Sequence, residues 1–306
     1  MSEANTAAAF RAGFVSIAGR PNAGKSTLLN QLIGEKIAIT APQPQTTRTA
    51  IQGVLTMPRA QIVFVDTPGI HKSDTLFNKR MMHMVRGALE DRDLVLYVAD
   101  ASRPVADEEE QAVSVLKHAK QSLLVLNKID RVEDKRLLLP LTERYMGLHH
   151  FLEALPVSAR KKDGLDDLKR TIVRYLPEAE AHFPEDYYTD QPVRFLAGEI
   201  IREQILRLAR NEVPHAVAVL VDEWKETPAL IKISASIHVE RPGQKTILIG
   251  RQGEMLKRIG TEARREIEAM TGTKVFLSLF VKVKRNWRED PEFLDAIDWR
   301  AMVGSK

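Results

Sequence analysis

The sequence predicts an α/β domain, with a mainly parallel sheet and helices on both faces, followed by a smaller α+β module. Three observations predict it. Short apolar, β-rich runs alternate with helical patterns through the first half of the chain. A loop of the form GxxxxGK[ST] separates the first run from the first helix. Past a proline-containing acidic stretch, the pattern changes to two adjacent strands, a helix behind a GxxG turn and a last strand.

Taken in order, runs 13–18, 61–65, 94–99 and 123–126 are apolar at nearly every position, as expected of strands buried on both faces. Residues 26–33 read as the start of a helix, and 78–89 and 107–119 are helix-like. A boundary follows Leu176. Residues 177–195 hold Pro177, Pro184 and Pro192 among acids with no clear period, so they read as a linker. Beyond it, 195–210 is helix-like, 216–224 and 230–239 are strand-like, 254–270 is helix-like and 274–283 is strand-like. In the helix, Met255, Leu256, Ile259, Ala263, Ile267 and Met270 form one stripe. The resulting division is a domain over 10–176, a linker over 177–194, a second domain over 195–290 and a tail over 291–306.

Composition narrows the classes. With 306 residues, two domains are the natural expectation. Hydrophobic residues make up 44% and charged residues 28%, which suits a soluble globular chain and excludes disorder or a collagen-like repeat as the main architecture. The absence of cysteine excludes a disulfide scaffold, a Cys-ligated zinc finger and a Cys nucleophile, and fits a reducing cytoplasm. No apolar run approaches the ~20 residues that span a bilayer, and residues 1–12 have no basic stretch ahead of an apolar one, so no secretory signal is expected. The net charge is only +4, but residues 241–288 carry 12 basic and four acidic residues, a local +8, and the next ten carry five acids and no base. A basic block of that size is a candidate footprint for a polyanion.

Gly19, Arg20, Pro21, Asn22, Ala23, Gly24, Lys25 and Ser26 match the phosphate-loop pattern in the required strand–loop–helix context. The glycines let the backbone curl so that successive N–H groups face a phosphate, and the helix N-terminus adds its dipole. Lys25 can supply a point charge to β/γ-phosphates, and the Ser26 hydroxyl can ligate Mg²⁺. Asn127, Lys128, Ile129 and Asp130 follow an apolar run at a strand end. A carboxylate there can accept two N–H bonds from guanine, whereas adenine offers no such donor pair, so GTP/GDP is the expected ligand. Ser158, Ala159 and Arg160 form a third strand-end loop able to bring backbone N–H groups to the base. Asp66, Thr67, Pro68, Gly69 and Ile70 follow another strand: Asp66 can hold Mg²⁺ through water and Gly69 can offer its N–H to a γ-phosphate, which makes the loop a nucleotide-gated switch. Between them, Gln45, Thr46, Thr47, Arg48 and Thr49 lie in a Pro/Gln-rich loop where a Thr hydroxyl, Thr47, can complete the metal shell.

In this order the elements resemble the translation-factor-type P-loop GTPases, and Pro21-Asn22 with Gln45–Arg48 resemble their Era-type, ribosome-assembly branch. Ile70 stands where many GTPases orient water with Gln. In similar proteins the loop asparagine, here Asn22, helps to bind a monovalent cation, K⁺, and the resemblance implies that role. Gly250, Arg251, Gln252 and Gly253 form a GxxG turn among basic residues that include Lys257. This resembles a KH domain, in which such a turn clamps about four nucleotides of single-stranded RNA. The run 281–288 also resembles the end of an Era-type KH domain, so the likeness covers residues 10–290. It implies a cytoplasmic assembly factor of the small (30S) ribosomal subunit that binds the 3′ end of 16S ribosomal RNA, with peripheral inner-membrane association in some members. Residues 245–249 are β-branched and would be a strand by propensity, whereas the resemblance implies a helix there.

Two other classes are weighed. An RNA-binding adaptor with a structural nucleotide site is opposed by the intact Lys25, Ser26, Asp66 and Asp130. A P-loop ATPase or kinase is opposed by Asn127 and Asp130. His149-His150 lack acidic companions at metal spacing, Glu108–Glu110 suit a solvated helix start, and the methionines at 81, 82 and 84 suit packing.

Overall fold

The computed structural model describes residues 9–300 except 44–45, 71–74, 91 and 210–212. The described residues fall into two units: those within Met1–Ala38, Thr47–Lys72 and Met81–Asp190, and those within Ile39–Thr46, Ser73–Arg80 and Gln191–Lys306.

The strands are β1 (Arg11–Ala18), β2 (Ile51–Met57), β3 (Ala60–Asp66), β4 (Leu94–Asp100), β5 (Ser122–Asn127) and β6 (Ala154–Pro156) in the first unit. The second has β7 (Ala218–Glu226), β8 (Ile231–Val239) and β9 (Val275–Val283). The helices are α1 (Lys25–Ile33), α2 (Leu76–Leu89), α3 (Asp107–Val113), α4 (Leu138–Leu148), α5 (Leu165–Tyr175), α6 (Val193–Leu208), α7 (Val213–Ala216), α8 (Pro242–Ile249), α9 (Glu254–Thr271) and α10 (Pro291–Ile297).

In the first unit the sheet runs β2-β3-β1-β4-β5-β6. All pairs are parallel except the edge hairpin β2–β3. Strands β3, β4 and β5 are buried at every position, as their unbroken apolar runs require. One face packs Leu28, Leu29 and Leu32 of α1 with Leu168 and Ile172 of α5. The other packs Val85 of α2 with Ala112, Leu116 and Tyr145. Both layers leave the C-terminal strand ends open to loops, where ligands of such sheets bind. The stretch expected as a linker is bonded to this unit over residues 177–189. Ala12 N–H donates to the Pro177 carbonyl at 3.2 Å, Val54 N–H to the Tyr188 carbonyl at 2.9 Å, and the Gln61 amide bonds the backbone of His182 and Phe183.

The second unit has a three-stranded sheet, β7-β8-β9, with β8–β9 parallel. Its core joins Ile201 and Ile205 of α6, Leu248 of α8 and Ile259, Ala263 and Ile267 of α9 to one face of that sheet. Residues 242–249 are helical, as the resemblance implied and propensity did not. Pro242 fits the first helical turn, and the Gln244 side chain accepts the N–H groups of Glu240 (3.0 Å) and Arg241 (2.9 Å). That local cap, with Leu248 fully buried, outweighs a few β-branched residues. Among the described residues no helix is long and apolar enough to cross a membrane.

Candidate functional site

The phosphate loop needs its glycines. Gly19 has φ +143° and a Cβ there would sit 2.3 Å from the Val98 carbonyl oxygen; Gly24 has φ +98° and a Cβ would meet the Asn127 amide at 2.3 Å. Asn22 also takes a positive φ, 63°, at the exposed tip. Lys25 folds back over the loop and donates to the carbonyls of Gly19 and Arg20, both at 3.0 Å. Burial lowers the Lys25 ammonium to about 8, against the raising influence of Asp66 and Glu109.

Three groups expected around a metal converge. Ser26 Oγ lies 2.6 Å from Thr47 Oγ1 and donates to Asp66 Oδ2 at 2.8 Å; Thr47 donates to the same oxygen at 3.3 Å. Asp66 is fully buried, and burial pushes its carboxyl up to about 6 although Lys25 and both hydroxyls pull it down. Its other oxygen, Oδ1, has no hydrogen-bond partner. A buried carboxylate oxygen without a donor, beside two hydroxyls, fits Mg²⁺, which takes one carboxylate, hydroxyl oxygens and substrate phosphates rather than an all-protein cage. Among the described residues no cluster of three His, Cys, Asp or Glu forms a metal site, which agrees with that sparse donor set.

The other residues expected in the two switches separate into roles. Thr67 ties β3 to β1, its hydroxyl donating to the Ile17 carbonyl at 2.8 Å. Gly69 lies against Pro21: a Cβ at 69 would be 2.8–2.9 Å from Pro21 atoms, backbone N and Cα among them. Ile70 is packed in the second apolar layer, and its N–H donates to the Gly19 carbonyl at 3.3 Å. Arg48 is buried and Thr49 half-buried. Thr46 groups with the second unit, where its hydroxyl donates to the Gln43 carbonyl at 2.8 Å and its carbonyl accepts from the buried Arg202 of α6. Gln45 lies outside the described residues.

The residues expected to read the base also meet. Asn127, buried at the end of β5, donates to the Ala23 carbonyl at 2.9 Å and accepts from Ala159 N–H at 3.0 Å. Lys128 (φ +66°) donates to Asp100 at 2.7 Å and to the Asn22 carbonyl. The Ser158 hydroxyl donates to Asp130 Oδ1 at 2.6 Å, and that bond holds the exposed carboxyl below its ordinary range. Ile129 N–H reaches the Val157 carbonyl at 3.2 Å, and Arg160 is exposed. Asp130 is thus ionised and aimed by Ser158, as recognition of a guanine edge requires.

Asp100 was missed by sequence reading. Burial works to raise its carboxyl, but the hydrogen bonds from Lys128 and Ser102 outweigh it and hold it low. The signal was present: Asp100 ends an apolar strand as Asp66 does. Behind the loop, Arg20 lies 3.9 Å from the buried Glu109, which accepts from Tyr97 at 2.6 Å.

In the second unit Gly250 (φ +72°) and Gly253 (φ +82°) flank exposed Arg251 and Gln252 (φ 50°) between α8 and α9. A Cβ on Gly250 would crowd Met255 at 2.8 Å, whereas Gly253 faces open space. Lys257 is exposed one turn into α9. Trp287, from the basic run 281–288, is not a surface residue: it is fully buried and donates to the Ala216 carbonyl at 2.9 Å.

Comparison with known proteins agrees with both units. The 50S ribosome-binding GTPase family matches residues 14–128 and the KH domain family residues 212–288. GTPase Era of Geobacter metallireducens is 47% identical over 293 residues, 95% of this chain and 98% of that protein. GTPase Era of Geotalea daltonii is 48% identical over 287 residues, 93% of this chain and 96% of its own length. Among solved structures, Era in complex with MgGDPNP and nucleotides 1506–1542 of 16S ribosomal RNA superposes with a TM-score of 0.91 at 39% identity, covering 95% of this chain and 99% of that one. An Aquifex aeolicus Era variant bound to GDP·AlF4⁻ gives 0.90 at 39% identity, with the same coverage. With near-complete coverage at this identity, and with the phosphate loop, NKxD loop and GxxG turn each formed, the chain belongs to the Era family of GTPases.

Proposed function

We propose that this GTPase uses its nucleotide state to gate binding of the single-stranded 3′ end of small-subunit ribosomal RNA, as a maturation factor of the 30S subunit. The convergence of Ser26, Thr47 and the half-satisfied Asp66 behind the phosphate loop carries the reading. Ser26, Thr47 and Asp66 would hold Mg²⁺ there, and it would supply charge neutralisation for the β- and γ-phosphates. Lys25 exchanges its two carbonyl partners for phosphate oxygens, and the loop N–H groups cradle them. Asp130 accepts from the guanine edge while Asn127 fixes the loop beneath it. Thr47 and Gly69 sense the γ-phosphate, one through its hydroxyl and the other through its N–H. Ile70 cannot orient water by hydrogen bonds, so we assign the missing catalytic assistance to a K⁺ that would be held near Asn22 and would offset charge on the transferring phosphate as an arginine finger does.

RNA binding belongs to the GxxG turn, whose glycines allow close approach of a sugar-phosphate backbone and whose exposed Arg251 and Lys257 meet phosphates. We place the protein in the cytoplasm on the small subunit, with any contact to the inner membrane made at the surface. The test is filter binding of a ribosomal RNA 3′-end oligonucleotide. Gly253→Asp, at a position with free space around it, should abolish RNA binding and leave GTP binding intact. Undiminished RNA affinity in a folded variant would move the RNA elsewhere.

A further inference from the structure

Strand β9 is an edge strand, and its alternate residues Phe276, Ser278, Phe280 and Lys282 share one face under the two-residue period of a strand, with Lys274 exposed just before its first residue. The opposite face supplies Val275 and Val281 to the core beneath α8 and α9. Phe276 and Phe280 are 58% and 54% exposed, unlike the other phenylalanines described, which are buried or half-buried. In register beside them on β8 are Lys232, Ser234 and Ser236, again without an acid. The Asp222 carboxylate lies 4.0 Å from Lys282 and accepts from Ser236 at 2.5 Å. Among the described residues, α10 covers the far end of this face: Phe293 packs on His238 at 4.8 Å between ring centroids.

We propose that this face is a second RNA surface, on which Phe276 and Phe280 stack two bases of a single strand while flanking lysines meet its phosphates. The inference rests on the GxxG reading and extends it: the turn grips about four nucleotides, and this face takes nucleotides beyond them. Aromatic faces interleaved with cations, and no carboxylate on the strand itself, are what an unpaired polynucleotide recognises. Two rings four residues apart lie about 13 Å apart along a strand, too far for one base and suited to two. A lipid surface or a protein would be served as well by any apolar side chain, so the π-face is the discriminating chemistry.

The experiment is fluorescence anisotropy of the full-length protein with two single-stranded RNAs at one salt concentration. One spans the four nucleotides of the turn, and the other is about three times longer. Phe276→Ala with Phe280→Ala should weaken the longer RNA about tenfold or more and leave the shorter unchanged. Phe276→Leu with Phe280→Leu should weaken it similarly, and Phe280→Tyr, which keeps a π-face, should bind it as the wild type does. Lys274→Gln with Lys282→Gln should flatten the salt dependence for the longer RNA only. Equal affinity of the alanine variant for the longer RNA, or full binding by the leucine variant, overturns the proposal. So does loss of sedimentation with vesicles of equal phosphatidylcholine and phosphatidylglycerol while RNA binding persists. Failure of the wild type to bind either RNA would instead sink the GxxG reading itself.

Discussion

Asn127 donates to the Ala23 carbonyl at 2.9 Å, so the residue that closes β5 clamps the phosphate loop from the base side. Its other amide atom accepts from Ala159 N–H at 3.0 Å, which joins three loops through one buried side chain. Asn127→Ala should destabilise the nucleotide-free protein by about 1–3 kcal/mol, the range for stranding buried donors and acceptors, and weaken GTP binding with it. Urea denaturation beside a nucleotide titration measures both; unchanged values would mean that water replaces the clamp.

Asp130→Asn should shift base preference from guanine to xanthine. An amide can donate to the xanthine carbonyl that replaces the guanine amino group, and a carboxylate cannot. A change in the XTP/GTP affinity ratio of about a hundredfold or more is expected, because the wrong base leaves its hydrogen-bonding edge unpaired against residue 130. Retention of full GTP preference would remove Asp130 from the base site.

Asp66 gives a pH prediction for the nucleotide- and metal-free protein. Its folded pKa, about 6, is above the ordinary 3.8, so the stability it lends is full below the unfolded value and lost as pH rises through 6. Asp66→Asn should therefore raise the stability by about 1–3 kcal/mol at pH 7.5 and by little at pH 4, where the wild-type carboxyl is also neutral. The same variant should lose Mg²⁺-dependent hydrolysis. Melting curves at the two pH values decide; a gain at pH 4 as large as at pH 7.5 would contradict the buried-charge account.

Hydrolysis should run faster in K⁺ than in Na⁺, and Asn22→Ala should remove the difference. Ile70→Ala, by contrast, should change the rate no more than about threefold, because that side chain packs in the core. Equal rates in both salts for the wild type would exclude the cation.

Most of the site was legible because it is local. The run from β1 through Gly19 to α1 is one continuous motif, and Asp66 and Asn127 each follow an apolar run directly, with Asp130 three residues beyond Asn127. What escaped is what depends on packing. β2 went unread because Gly53 interrupts it; a Cβ there would meet the end of the Ile37 side chain at 2.4 Å, a contact that sequence alone does not show. The helix expected over 107–119 is shorter, α3 ending at Val113 and passing into a tight turn over Ser114–His118. α4 and α5 were not anticipated, although α5 carries a clear apolar stripe in Leu165, Leu168 and Ile172. Residues 177–189 read as a linker because their order comes from hydrogen bonds to Gln52, Gln61 and neighbours more than a hundred positions away.

The approach of Gly69 to Pro21 draws a sharp border for mutation. A side chain at 69 would meet Pro21 backbone below 3.0 Å and wedge apart the two loops that face the phosphates. The next side chain, Ile70, points into an apolar layer where another hydrophobe of similar volume could pack. Adjacent codons are therefore under opposite constraints: 70 can drift among hydrophobes of similar volume, while 69 stays closed to every residue that has a Cβ.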